Sequence, residues 1–384
     1  MLVYQGIITI ILISLLLIVI WNIVILRRTN ITSLHESELP FVSVLVPLRN
    51  EESNAEDCLR SLLSQEYPNY ELIVLNDNSE DKTPEILEKL KKEYPSLILL
   101  QGKTLPEGWT GKTYACKQLA DRAKGEWLLF TDADTRHYPN SIKLAIETAV
   151  SKEADLLTLF PKTIMKTFSE KMVMPMLFFT VFTLLPLYFV GRKGYTRFSM
   201  GMGPYMLFKR QAYDIIGGHG KVKHALVEDV WLARKIKEKG MRLIIADGKE
   251  QAEIRMYSSF KEIWNGFSKN IFAGFNFSAL MLFTVNLGFI VLFFLPFVFW
   301  FVNLLYFSDF NEIFLLLTVQ VVVLYLIKIL LAFRFNLGIL STVLHPVGAI
   351  LIPIIAVNSW RWIASGRGAR WKNRTYTIQT LKIR

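Results

Sequence analysis

Hydrophobic and polar positions divide the chain into three regions. Residues 2–26, LVYQGIITIILISLLLIVIWNIVIL, are uncharged and long enough to cross a hydrocarbon core of about 30 Å as a helix. From Phe41 to about Asn276, short apolar runs rich in β-branched residues (FVSVLVP, YELIVLND, LILL, GEWLLFTDAD, ADLLTLF) alternate with helical patterns such as NAEDCLRSLLSQ and TPEILEKLKKEY. Continuous apolar strands separated by helices predict βαβ units, hence an α/β fold with a mostly parallel sheet covered on both faces. After Phe277 come three long apolar stretches, 277–306, 312–333 and 338–357. Residues 172–190 are also apolar but contain Pro175 and Pro186. A crossing there would put the two halves of the middle region on opposite sides of a membrane, so this segment reads as interfacial, or packed under the domain, with its apolar face in lipid.

Charge orients these pieces. Residues 2–26 lack the positive n-region and small-residue cleavage site of a signal peptide, and Arg27 and Arg28 follow them, which reads as an anchor with its N-terminus outside. Asp309 and Glu312 mark the first C-terminal connection and Lys328 and Arg334 flank the second, so the first two stretches read as a hairpin going out and back. The third contains His345-Pro346 and Pro353, and it is re-entrant, interfacial or a plain crossing. Residues 361–384 carry seven basic residues and no acidic one, which argues against placing them outside. The expected organisation is an anchor at 1–28, an α/β domain at 41–276, a membrane region at 277–358 and a basic tail at 359–384 that faces anionic headgroups rather than nucleic acid. This is a multi-pass protein of the plasma membrane with its middle domain in the cytoplasm. With 52% hydrophobic residues, 20% charged, a net charge of +11 and a mean hydropathy of +0.32, the chain is neither disordered nor fibrous. Two cysteines, Cys58 and Cys116, make no disulfide framework and read as reduced thiols.

In parallel sheets, ligands bind at the carboxyl ends of strands. The first strand ends in Pro47-Leu48-Arg49-Asn50-Glu51-Glu52 and the second in Asn76-Asp77-Asn78-Ser79-Glu80-Asp81. Such turns also serve simply to cap the next helix. The alternative is that the Asp77 carboxylate accepts hydrogen bonds from a base or ribose, with the Pro47–Glu52 loop as the opposite wall. Neither segment is a Gly-rich phosphate cradle. Asp132-Ala133-Asp134 follows the strand Trp127–Phe130, with the alanine turned away. Two carboxylates there suit a hard divalent cation, Mg or Mn, that leaves coordination sites to substrate phosphates. Lys112, after Gly111, is placed to contact a phosphate or base, or is an ordinary solvated charge. In VEDVWLARKIKEK, Glu228 and Asp229 fall at a helix N-terminus, where the dipole alone favours them. The alternative is that Asp229 is a general base. His219 and His224 either assist it or are loop histidines with no catalytic part.

Together and in this order, the four segments resemble the inverting family 2 glycosyltransferases with a GT-A fold, over about residues 41–276. Within that family the chain is similar to the membrane-bound carotenoid- and hopanoid-associated group, including the diaponeurosporenoate glycosyltransferase type. The residues that carry this are Pro106-Glu107-Gly108-Trp109-Thr110-Gly111-Lys112 with Ala115-Cys116, Gly203-Pro204, Gly217-Gly218-His219 running into Glu228-Asp229, Arg255-Met256-Tyr257 before Trp264, and the tail Trp371-Lys372-Asn373-Arg374-Thr375-Tyr376. The resemblance implies that Pro47, Arg49, Glu51 and Asp77 border the nucleotide, with Asp77 and Lys112 near the base. It implies that Asp132 contacts ribose or sugar, Asp134 ligates Mg or Mn on the diphosphate, and Asp229, beside Glu228, is the base. The expected donor is a nucleotide-sugar, UDP-linked, and the expected acceptor a membrane lipid or terpenoid. An acceptor already ionised needs no base, so the Glu228-Asp229 pair leans toward a hydroxyl. Processive synthases of the family carry Gln-x-x-Arg-Trp where this chain has Trp264-Asn265-Gly266-Phe267-Ser268-Lys269-Asn270. A polyprenyl-phosphate sugar transferase, a polysaccharide synthase and a non-catalytic scaffold remain as alternatives.

Overall fold

The computed structural model describes residues 1–26, 33–306, 311–377 and 381, and they form two compact units. Arg27, Arg28 and Asp309, used above to orient the membrane segments, lie outside the described residues.

The first unit is α/β and comprises Leu26–Ile164, Leu187–Met256 and the chain from Arg370 onward. Its strands are β1 (Val42–Leu48), β2 (Tyr70–Asn76), β3 (Ile98–Gln101), β4 (Trp127–Phe130), β5 (Thr135–His137), β6 (Leu156–Thr163), β7 (Met206–Lys209) and β8 (Leu243–Ile254), in the order β3-β2-β1-β4-β7-β6-β8-β5. The five apolar runs expected from the sequence are β1, β2, β3, β4 and β6. β1 lies parallel to β2 and β4, β2 to β3, and β6 to β8, while β7 is antiparallel to both β4 and β6, and β5 to β8. β5, β7 and β8 escaped the sequence pattern. β8 reads LIIADGKEQAEI, and this polar, non-alternating run is a strand because β6 and β5 supply its ladder partners.

β1 shows why the sheet is stable. Val42, Val44, Leu45, Val46 and Leu48 are all fully buried, so both of its faces are covered. The helices Ala55–Leu63 and Thr83–Glu93 bring Cys58, Leu59, Leu62, Leu87 and Leu90 into the same core. Each buried aliphatic chain contributes about 1.5–3 kcal/mol. The chain steps outward from β1 through β2 to β3, then returns to β4 on the other side of β1. That reversal opens a crevice at the carboxyl ends of β1 and β4, where the loops carrying Arg49, Asp132 and Asp134 emerge.

The second unit is helical and comprises Met1–Ile25, Met165–Pro186 and Tyr257–Ala369. Residues 165–186 and 257–276, inside the range expected for the α/β domain, therefore cluster with the helices. Among the described residues four helices are long and apolar enough to cross a membrane: Leu2–Ile25, Ala279–Tyr306, Glu312–Phe335 and His345–Ala364. Their polarity is inverted relative to a water-soluble bundle. Ile10, Leu17, Leu280 and Phe333 point outward, while the buried Gln320 amide donates to the Gln5 backbone carbonyl and side chain at 3.1 and 3.0 Å. Polar groups buried between helices and apolar groups outside are what lipid as a solvent demands. The 172–190 segment differs from expectation. Pro175 starts a helix that runs only to Leu184, too short to cross, and its Phe178, Phe179 and Phe182 are buried within the helical unit instead of facing lipid. Phe178 and Phe182 pack on Phe335, with ring centroids 4.6 and 4.9 Å apart.

Candidate active site

The loops after β1 and β2 are tied together before they meet anything else. The Asp77 amide donates to the Leu48 carbonyl at 2.7 Å, and the buried Arg49 guanidinium donates to the carbonyls of Asp77 and Asn78, each at 2.7 Å, and to the Glu80 carboxylate at 3.0 Å. Arg49 thus clasps the two loops, and Asp77, itself buried, is fixed at the end of β2. The Glu51 amide donates to the Thr83 hydroxyl at 2.8 Å, which fixes the β1 loop on the start of the helix that follows β2.

Lys112 stands in the first turn of the helix Gly111–Arg122, whose N-cap, Thr110, accepts from the Thr113 amide. Its ammonium bridges two carboxylates, Asp132 at 2.6 Å and Glu228 at 2.8 Å. Burial opposes the lysine charge, and the two carboxylates overcome it, holding the ammonium well above its ordinary value. The sequence offered Lys112 as a phosphate contact, a base contact or a solvated charge; the structure makes it the cation that joins β4 to the helix Glu228–Glu238.

Asp229 occupies the second position of that helix. One carboxylate oxygen accepts from the Val230 amide at 2.8 Å and the other from the Gly203 amide at 3.0 Å. Burial, and after it the Glu228 charge, push its pKa up to about 6, against the pull of Lys112. It is therefore a stronger base than an ordinary carboxylate and still ionised at neutral pH. Gly203 sits at the focus: a Cβ there would lie 3.2 Å from both Asp132 Oδ2 and Lys112 Nζ and 3.5 Å from Asp229 Oδ2. Only a residue without a side chain leaves this meeting point open.

Ala133 is buried in the core, so Asp132 and Asp134 diverge from it. Asp134 Oδ1 is buried with no hydrogen-bond partner, and burial, with the Asp132 and Glu51 charges behind it, pushes its pKa up to about 8. An orphaned carboxylate oxygen among other carboxylates fits a hard divalent cation, whose charge would satisfy it. Among the described residues no three His, Cys, Asp or Glu side chains form a closed metal cage. The fit is therefore to a cation held by one or two carboxylates that takes its remaining oxygens from phosphate and water.

A small cleft is lined by Pro47, Lys112, Asp132, Gly203, His219 and Glu228, among others. His219 is a wall and not a proton carrier. Burial pushes its pKa down to about 3, and its ring pairs with the Tyr213 hydroxyl at 2.7 Å. His224 lies against Gly108, where a Cβ would be 3.3 Å from its ring. Cys58 and Cys116 are buried, unpaired thiols held far above their ordinary pKa by burial.

The sequence tied Trp371–Tyr376 to the family resemblance but gave the segment no place beside the strand-end loops. A hairpin of β9 (Ala369–Trp371) and β10 (Arg374–Tyr376) brings Lys372 to 3.0 Å from Glu51 and Arg374 onto the Asp77 carboxylate, with one bond at 3.0 Å. The tail was expected to face anionic headgroups; for Lys372 and Arg374 the partners are protein carboxylates instead, and Lys382 and Arg384 lie outside the described residues. One signal was available. The Arg-Trp pair looked for near residue 264 exists at Arg370-Trp371, with Arg367 three residues ahead of Arg370.

The family model of glycosyl transferase family 21 matches the chain over residues 7–383. Over 103 residues the chain is 42% identical to a β-monoglucosyldiacylglycerol synthase of Trichormus variabilis, covering 26% of this chain and 22% of that protein. Over 245 residues it is 26% identical to a 4,4'-diaponeurosporenoate glycosyltransferase of Staphylococcus aureus, covering 61% of each. The matched stretches span less than two thirds of either relative. In fold the chain is similar to a mannosyltransferase from Pyrobaculum calidifontis in complex with GDP-Man and Mn2+, at a TM-score of 0.55 and 16% identity, covering 93% of this chain and 97% of that one. The motifs were read as those of family 2, and the model that spans the chain is that of family 21. The chain belongs to glycosyl transferase family 21 and has a GT-A-like fold.

Proposed function

We propose that the protein moves a sugar from a UDP-linked donor to the hydroxyl of a membrane lipid or terpenoid, with inversion at the anomeric carbon. The observation that carries this reading is Asp229, a carboxylate with a raised pKa held by two backbone amides beside the Lys112–Asp132–Glu228 cluster at the sheet's switch point. Asp229 takes the proton of the acceptor hydroxyl, the oxygen attacks the anomeric carbon, and the bond from that carbon to the diphosphate breaks, so the nucleoside diphosphate leaves with the electron pair. Two amides fixed on the carboxylate keep it aimed while it gains and loses the proton. Lys112 holds Asp132 and Glu228 in place around Gly203 and supplies positive charge near the leaving group. Asp134, with Asp132 near it, would hold Mg or Mn, which when bound neutralises charge on the departing diphosphate. Lipid acceptors agree with the two relatives, whose names specify a diacylglycerol product and a diaponeurosporenoate substrate.

The proposal extends to topology. The α/β unit contains residues on both sides of 165–186 and of 257–369, and one folded unit stays on one side of a bilayer. The first segment then does not cross, and the second crosses an even number of times. We assign the crossings to Ala279–Tyr306 and Glu312–Phe335. His345–Ala364 has the lowest hydropathy of the four helices, 1.5, an internal Pro353 and a buried Ser359, and it returns to the side it left. With Leu2–Ile25 as anchor, the α/β unit lies on the cytoplasmic face of the plasma membrane.

The test is to incubate membranes containing the protein with labelled UDP- and GDP-sugars and identify labelled lipid by mass spectrometry. A sugar from UDP on a lipid hydroxyl is expected. Label on a polyprenyl phosphate, or donor hydrolysis with no lipid product, would overturn the assignment.

A further inference from the structure

Three loops that wall the proposed nucleotide site all bind the end of the chain. From the β1 loop, the Asn50 carbonyl and the Glu51 carboxylate accept from Lys372 Nζ at 2.7 and 3.0 Å, and Arg49 Nε donates to the Lys372 carbonyl at 3.0 Å. From the β2 loop, both Asp77 oxygens accept from the Arg374 guanidinium. From the start of the helix Gly111–Arg122, the Gly111 amide donates to the Tyr376 hydroxyl at 3.0 Å, and Tyr376 is buried. The space is built to fit: a Cβ on Gly111 would fall on Arg374 Nη1. Lys372 and Asn373 both take positive φ, 45° and 64°, as a two-residue hairpin turn of this kind requires. Lysine is disfavoured there, and its contacts with the β1 loop hold it in place.

We propose that this hairpin is a fixed wall of the donor site and that Arg374 binds the nucleoside diphosphate part of the donor. The inference rests on the reading that the Asp77–Lys112 region takes the nucleotide. Its basis is charge. The site gathers Glu51, Asp77, Asp132, Asp134, Glu228 and Asp229, and a diphosphate brings further negative charge to it. Lys112 is engaged by two of these carboxylates and Arg49 by loop carbonyls and Glu80, so the cations that offset Glu51 and Asp77 are Lys372 and Arg374. A bare Asp77 would present only acceptors. Covered by Arg374, it becomes part of a pair that presents guanidinium N–H donors, which suit a ligand rich in acceptor oxygens. A removable plug is the rival account, but expelling the hairpin would break the Lys372–Glu51, Arg374–Asp77 and Tyr376–Gly111 contacts together.

The experiment uses the full chain in detergent, measuring UDP binding by calorimetry and donor KM and kcat in lipid glycosylation. Arg374→Ala is expected to weaken UDP binding and raise donor KM at least tenfold, with kcat within about threefold of wild type. Gly111→Ala, which keeps every tail residue but displaces the guanidinium, is expected to do the same, and Arg374→Lys to restore part of the affinity. If Arg374→Ala does not fold, the other two variants decide. Unchanged UDP affinity and KM would overturn the inference, and tighter binding or faster turnover would show a plug. Failure of the nucleotide-site reading itself is seen separately, as wild-type protein that binds neither UDP nor GDP.

Discussion

The Lys112 ammonium lies 2.8 Å from the Glu228 carboxylate, joining a helix that follows β3 to one that follows β7. The same ammonium is 2.6 Å from Asp132, so one cation fixes the relative positions of the β4 loop and the helix that carries Asp229.

Lys112→Met removes that cation and leaves Asp132 and Glu228 facing each other. Breaking a largely buried pair by deleting one partner costs about 3–5 kcal/mol. Lys112 and Asp132 keep some contact with solvent, so a loss at the lower end, about 3 kcal/mol, is expected in thermal or denaturant unfolding. Transfer should fall at least a hundredfold. A variant with wild-type turnover would show that the bridge is only structural.

Asp229→Asn should abolish transfer while UDP still binds, since the amide cannot take the acceptor proton. Full activity in this variant would remove Asp229 from the base role. In the proposed role the ionised carboxylate is the active form, and its pKa is raised to about 6. kcat/KM should therefore fall about tenfold per pH unit below about 6 and level off above it. The effect on stability has the opposite sign. The folded chain holds this proton more tightly than the unfolded one, so this group's contribution favours folding at acid pH and is lost as pH rises through about 6.

Chelation should stop turnover, and Mn or Mg should restore it, because Asp134 Oδ1 is a buried acceptor with no partner from the protein. Asp134→Ala should raise the metal concentration for half-maximal rate by at least tenfold. Metal-independent transfer after exhaustive EDTA treatment would exclude this use of Asp134.

Single cysteines at Ser53, Glu312 and Ser365, all exposed positions, report the number of crossings. The native Cys58 and Cys116 are buried, so background labelling by an impermeant maleimide should be low. Ser53→Cys and Ser365→Cys should label from the same side and Glu312→Cys from the other. Labelling of positions 53 and 365 from opposite sides would mean that His345–Ala364 crosses.

Much of this was legible in the chain because it is local. Buried strands write themselves as apolar runs such as VSVLVPL, and the helices between them as amphipathic periods, so the α/β class and β1, β2, β3, β4 and β6 follow from residues near in sequence. The placing of Asp77 and Asp132-Ala133-Asp134 at strand ends, and of Glu228-Asp229 at a helix start, follows in the same way, as do the membrane helices. β8 did not, because a polar strand is defined by the neighbours whose ladder it completes.

Charge pairing was the part that only the tertiary structure decided. A sequence states where cations and carboxylates are but not which of them meet, since Coulomb attraction and desolvation act through space and are indifferent to separation along the chain. Lys112 offered three readings until Asp132 and Glu228 were seen on either side of it. The basic tail looked like a partner for anionic lipid for the same reason. Folding instead brings Lys372 to Glu51 and Arg374 to Asp77, where burial makes each pairing specific, and ties a segment read as a membrane-facing end to the loops after β1 and β2.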